Sequence, residues 1–305
     1  MDLINDLRPL SLADYERAIE SYTDECTSIT GVRGVYQFGS IGAPGLSDID
    51  LVVVLDDEKL PATEELARLS VRHERWRRDS LIQACFIHDV FVCPKSIFEQ
   101  VEWLNPGNRW TWRGGSEEHF AALTPEDRQM VTLVHGLDFC VARLHEFSWL
   151  DSGVPRSMRA IMPQLWSLTH THRILVEAGA ALDQTWDDVS QALSALRAEG
   201  VEHLRADRVA SLMPTVVAHF VVAVQHFASL LEDRAELGVR SPSRECSVAL
   251  HASRVLHVYA RGRSNGARTR SAPMALTRHI RFAGRTVEAA WRRLDLPGTV
   301  LTHHM

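Results

Sequence analysis

The clearest chemistry in this 305-residue chain sits near its start, where seven residues separate Phe38-Gly39-Ser40 from Asp48-Ile49-Asp50. Read as the opening of a strand over 48–55, DIDLVVVL, the two aspartates are two apart and project from one face. Two carboxylates held so close repel each other unless a cation lies between them. A divalent ion that prefers oxygen ligands, most naturally Mg2+, removes that repulsion and keeps open positions for phosphate oxygens. The upstream loop offers the complementary half. Gly39 lets a backbone approach a phosphate closely, and Ser40 supplies a hydroxyl and an N–H as donors. Asp89, in the apolar run FIHDVFV, stands where a third carboxylate would come from a neighbouring strand, with Asp79 as the fallback.

Several other residues are weaker candidates. His88, beside Asp89, alternates to the opposite face if its segment is a strand, and is set aside on that ground. His170 and His172 are two apart on a predicted helix, a spacing that separates their directions. Trp103, Trp110 and Trp112 are candidates for stacking on a ring, or for packing one part of the chain on another. Arg156 and Arg159 open a predicted helix and are candidates for contacting phosphate.

The elements that must position these groups follow from hydrophobic pattern and turn chemistry. Residues 11–29 begin at a serine and read as a helix, leading to a strand at 34–38. GSIGAPGLS is a loop, 48–55 a buried strand, 61–79 a helix, and 81–94 a third strand closed by Pro94. Beyond Trp103, NPGNRWTWRGGSEE reads as a loop or small hairpin, and from Thr124 onward the composition is helical. Helices are expected at 124–149, 156–178, 186–200, 207–236, 244–260 and 274–294, with a loop at 261–273. The expected class is α+β: a small mixed sheet flanked by helices over 1–120, then an all-helical domain over 121–305 for acceptor binding and cleft closure.

The run FGSIGAPGLSDIDLVVV resembles the signature of the DNA polymerase β-type nucleotidyltransferase superfamily, in which Gly-Ser after one strand precedes Asp-x-Asp at the next. The likeness extends over residues 30 to 95 and is similar to that seen in aminoglycoside-type nucleotidyltransferases. It implies that Gly39 and Ser40 bind the donor triphosphate and that Asp48, Asp50 and Asp89 hold metal, two Mg2+ ions by the usual arrangement. The implied reaction moves a nucleoside monophosphate from an NTP, ATP by expectation, to a hydroxyl with release of pyrophosphate. Asp89 would then serve both as ligand and as proton acceptor.

Composition narrows the acceptor. The formal charge is −6, yet residues 240–295 carry twelve arginines against three acids, a local +9 that leaves −15 elsewhere. A groove that tracks a polymer would be basic throughout, so a small-molecule or other non-polymer acceptor is favoured over nucleic acid. The alternatives are a second-messenger synthase or RNA-tailing enzyme that uses the arginine-rich segment, and a catalytically silent binding or antitoxin module. No apolar run approaches the length of a membrane span, and MDLINDLRPL lacks a signal pattern, so a cytoplasmic protein without membrane contact is expected. Five scattered cysteines suggest reduced thiols.

Overall fold

Ser11 starts the first long helix by a reciprocal cap: the Asp14 N–H donates to the Ser11 hydroxyl at 3.2 Å, and the Ser11 N–H donates to the Asp14 carboxylate at 2.7 Å. In the computed structural model of the chain, residues 3–99, 101–104, 108–120, 122–147 and 155–236 are described. They divide between two compact units, one holding the described residues of 8–123, the other those of 3–7 and 124–236. The expected helices at 244–260 and 274–294, the loop at 261–273 and the arginine-rich segment 240–295 lie outside the described residues.

The first unit is a four-stranded mixed sheet with helices on its faces. Leu3–Ile4 (β1) belongs to the other unit. Helix α1 (Leu12–Thr27) leads to β2 (Val32–Phe38) and β3 (Leu51–Leu55), which pair antiparallel. Three short helices follow, α2 (Thr63–Arg68), α3 (Glu74–Arg77) and α4 (Ser80–Cys85), before β4 (Phe91–Pro94), which pairs parallel to β3. Helical turns α5 (Lys95–Phe98) and α6 (Val101–Leu104) precede β5 (Trp110–Gly115), which lies antiparallel to β2 and completes the order β4-β3-β2-β5.

Strand β3 is buried on both faces, which explains its continuous apolar run. On one face Ile49, Leu51, Val53 and Leu55 pack with Val35, with Tyr15, Ile19 and Tyr22 of α1, and with Trp76, Ile82 and Phe86. On the other, Val52 and Val54 pack with Tyr36, Cys93, Phe98 and Val101, bordered by half-buried Phe38, Phe91, Trp110 and Phe120. Alternation from Val52 back through Asp50 to Asp48 places both acids on this second face, at its open end.

Three segments differ from the sequence expectation. Residues 81–94 are not one strand: Asp79 accepts the N–H groups of Leu81 and Ile82 at 2.9 and 3.0 Å, starting α4, and only Phe91–Pro94 pairs in the sheet. Residues 61–79 are not one helix either. The Asp89 carboxylate accepts the Val71 N–H and the Ser70 hydroxyl, each at 2.7 Å, and so stabilises a turn where a continuous helix would bond to itself. The segment around Trp110 is a true sheet strand and not a free hairpin.

The second unit is helical: α7 (Pro125–Phe147), α8 (Met158–Glu177), α9 (Gln184–Ala198) and α10 (Ala206–Glu236), with β6 (Arg156–Ser157) ahead of α8. Strand β1 pairs parallel with β6, and Asp6 accepts from the Ser157 hydroxyl at 2.5 Å and the Arg159 N–H at 3.1 Å. The first residues of the chain are thereby tied to the helical unit. Contrary to the expectation that no apolar run approaches the length of a membrane span, α10 is long and apolar enough to cross one over Ala206–Leu231, by length and composition. Its buried residues Val209, Met213, Val216, Phe220, Ala223, Phe227 and Leu231 recur at three- and four-residue spacing, and it packs against α7 and α8. That is the pattern of a helix that packs one face on its neighbours.

Candidate metal centre

Three ligand atoms converge at the open end of the second sheet face. Donor atoms of Asp48, Asp50 and His88 all lie within 4.8 Å of one another, and among the described residues this is the group that can hold a metal ion. His88 Nε2 is 2.8 Å from Asp50 Oδ1 and 3.2 Å from Asp48 Oδ2. At the 4.8 Å bound two ionised carboxylates repel by about 3–4 kcal/mol at an effective dielectric near 20, a repulsion that a cation between them would offset.

Each member is held from behind. Asp48 is fixed by the backbone: its Oδ1 accepts the N–H of Ile87 at 2.7 Å and of Ile49 at 2.9 Å, which leaves Oδ2 toward His88. Asp50 is fixed by the sheet, because its carbonyl accepts the Phe38 N–H at 3.1 Å and so continues the β2–β3 ladder one step. Ile49 between them is buried on the opposite face and anchors the segment. His88 is fixed by its other nitrogen, since Nδ1 faces the Asp89 carbonyl at 2.6 Å. A carbonyl can only accept, so Nδ1 carries hydrogen.

The electrostatics match this arrangement. Burial pushes the Asp48 carboxyl up to about 6, with the His88 charge opposing the rise and Asp50 adding to it. Burial by itself would lower the His88 imidazole, but its hydrogen bond to Asp50 and the charges of Asp48 and Asp50 raise it to about 9. The two acids thus favour the charged form of the imidazole that stands between them. The side chain of Asp48 is 10% exposed and that of Asp50 33%, so Asp50 is the acid that meets solvent.

Gly39 and Ser40 follow directly on Phe38, the residue paired with Asp50. Gly39 has φ of +76°, which a side chain would strain, although a Cβ there would meet nothing within 4 Å. Its N–H donates to the Arg109 carbonyl at 3.2 Å, and Ser40 is exposed. The loop that returns to Asp48 is pinned from below by Tyr15, whose hydroxyl donates to the Ser47 carbonyl at 2.7 Å and accepts the Gly45 N–H at 3.1 Å.

The structure thus brings Asp48, Asp50 and the strand end bearing Gly39-Ser40 together, and adds His88. It does not bring in the Asp89 carboxylate, which is engaged by Ser70 and Val71. Asp79 caps α4. Alternation misplaced His88 because residues 86–90 are not strand. The signal that would have found it is Asp79-Ser80, a helix cap whose helix leaves too few residues for a long strand. Elsewhere, Trp110 joins the ring cluster of the second face, 5.2 Å from Phe38, while Trp112 is 45% exposed. His172 stacks on Trp186, and His170 packs edge-on to Phe139 with its imidazole lowered by burial. Arg156, in β6, and Arg159, in the first turn of α8, are half-buried. Cys26, Cys85, Cys93 and Cys140 are buried. The Trp103 side chain lies outside the described residues.

Comparison of the chain with protein-family models, with curated proteins and with solved structures finds no match in any of the three.

Proposed function

We propose that the protein is a metal-dependent nucleotidyltransferase, and the observation that carries this reading is the convergence of Asp48, Asp50 and His88 beside the Gly39-Ser40 strand end. Asp48 Oδ2, Asp50 Oδ1 and His88 Nε2 would hold a divalent ion, and the loop after Phe38 would receive the donor's phosphates through Ser40. A bound ion supplies charge neutralisation at the phosphates and acidifies a coordinated hydroxyl. An acceptor oxygen attacks the α-phosphorus, the bond from that phosphorus to the β-phosphate's bridging oxygen breaks, and pyrophosphate leaves. The acceptor's proton passes to Asp50, the carboxylate with access to solvent. ATP is the expected donor and a small molecule the expected acceptor.

A second reading, a nucleotidyltransferase-like module without catalysis, draws support from two contacts. Asp89 is committed to the Ser70–Val71 turn, and His88 satisfies both acids without metal. The two readings separate in one assay. The protein is incubated with α-labelled NTPs, divalent metal and a pool of hydroxyl-bearing acceptors. Transfer of label by the wild type, lost in Asp50→Asn, supports catalysis. Absence of transfer together with metal-independent NTP binding would falsify it in favour of the silent module.

A further inference from the structure

We infer that the Asp48–Asp50–His88 centre takes a first-row transition ion, of which Mn2+ is the probe, in preference to Mg2+. This rests on reading the acid pair as a metal centre. It goes beyond that reading because the nitrogen donor, and not the acids, sets the choice of ion.

Three features carry the inference. The donor set mixes two carboxylate oxygens with an imidazole nitrogen, and all three atoms lie within 4.8 Å of one another. Mg2+ holds an oxygen shell and gives up its waters reluctantly, whereas imidazole suits the softer ions of the first transition row. The ring is also oriented as a ligand is: with hydrogen on Nδ1 directed to the Asp89 carbonyl at 2.6 Å, the basic nitrogen of the neutral ring is Nε2, which faces the acids. Metal-bound histidines are characteristically held in this way by a backbone carbonyl behind the ring. Finally, Asp48 is turned by two backbone N–H groups on Oδ1, leaving the other oxygen toward the same point. The imidazole is thus held by the Asp89 carbonyl and the Asp48 carboxylate by the Ile49 and Ile87 N–H groups, so that backbone places both ligands.

The test uses the full chain without nucleotide. Mn2+ binding is followed by loss of the free-ion electron spin resonance signal, Mg2+ is titrated as competitor, and spin-echo modulation of bound Mn2+ is recorded on protein with 15N-labelled histidine. One Mn2+ per chain is expected, displaced only by roughly 100-fold or greater excess of Mg2+, with histidine nitrogen coupled to the ion. His88→Gln should weaken Mn2+ by about tenfold or more, lose the nitrogen coupling and change Mg2+ affinity little. His88→Asp should move the ratio toward Mg2+, and if that variant does not fold, His88→Gln and the spin-echo result decide. Mn2+ bound without nitrogen coupling, an unchanged Mn2+ to Mg2+ ratio in His88→Gln, or no bound Mn2+ overturns the inference. Nucleotidyl transfer without nitrogen coupling would sink this inference and leave the enzyme reading intact, while nitrogen-coupled Mn2+ without transfer would do the reverse.

Discussion

His88 donates from Nδ1 to the backbone carbonyl of Asp89 at 2.6 Å, so two adjacent residues send their functional groups to different places. The imidazole turns to Asp48 and Asp50, while the Asp89 carboxylate turns to Ser70 and Val71. The carboxylate expected as a third ligand is thus bonded to the Ser70–Val71 turn, and the imidazole of its neighbour lies beside the two acids.

Asp89→Ala should therefore act on stability before it acts on metal. It strands the Val71 N–H and the Ser70 hydroxyl, a loss of about 1–3 kcal/mol in chemical denaturation. Metal affinity at native conditions should change by less than in Asp50→Asn. A large drop in metal affinity with unchanged stability would show that Asp89 is a ligand after all.

Asp50→Asn should do the opposite. Its side chain is one-third exposed and its carbonyl, which holds the sheet ladder, is retained. The melting temperature should stay within a few degrees of wild type, while nucleotidyl transfer falls by roughly 100-fold or more. Undiminished turnover would remove this acid from the mechanism.

The metal-free protein should lose stability in alkali through His88. Its folded value of about 9 lies above the ordinary 6.5, so folding favours the protonated ring. That contribution is complete below pH 6.5 and disappears as pH rises through about 9. The stability difference between wild type and His88→Gln, measured by urea denaturation in chelator, should shrink across this window. A difference that stays flat contradicts the assignment of His88 as the internal cation.

Tyr15→Phe should loosen the loop between Gly39 and Asp48 without disturbing the sheet. The change leaves the Ser47 carbonyl and the Gly45 N–H without their buried partner, at a cost of about 1–3 kcal/mol. Hydrogen exchange should accelerate over residues 40–47 and remain slow in β2 and β3. Equal acceleration in the strands would mean that Tyr15 supports the core and not the loop.

Much of this was legible in the residues. The β-branched run after Asp50 announces a buried strand, and the two-residue spacing of Asp48 and Asp50 correctly puts both acids on one face, because that inference depends only on local extended backbone. The serine start of α1 was equally local. What failed depended on distant partners. Residues 81–94 are apolar enough for a strand, yet the Asp79 side chain captures two N–H groups and starts a helix. A helix over 61–79 was broken by a carboxylate ten residues beyond its end. With the strand assignment wrong, the alternation argument sent His88 to the wrong face. The sheet position of Trp110 was hidden for a related reason, since the segment's glycines and polar residues gain strand character only by pairing with β2.

The most direct test of the metal centre is anomalous diffraction from crystals grown with Mn2+. A single strong peak within bonding distance of Asp48 Oδ2, Asp50 Oδ1 and His88 Nε2, with the Asp89 carboxylate still on Ser70 and Val71, is the result predicted. A peak coordinated by Asp89, or none at Asp48 and Asp50, would contradict it.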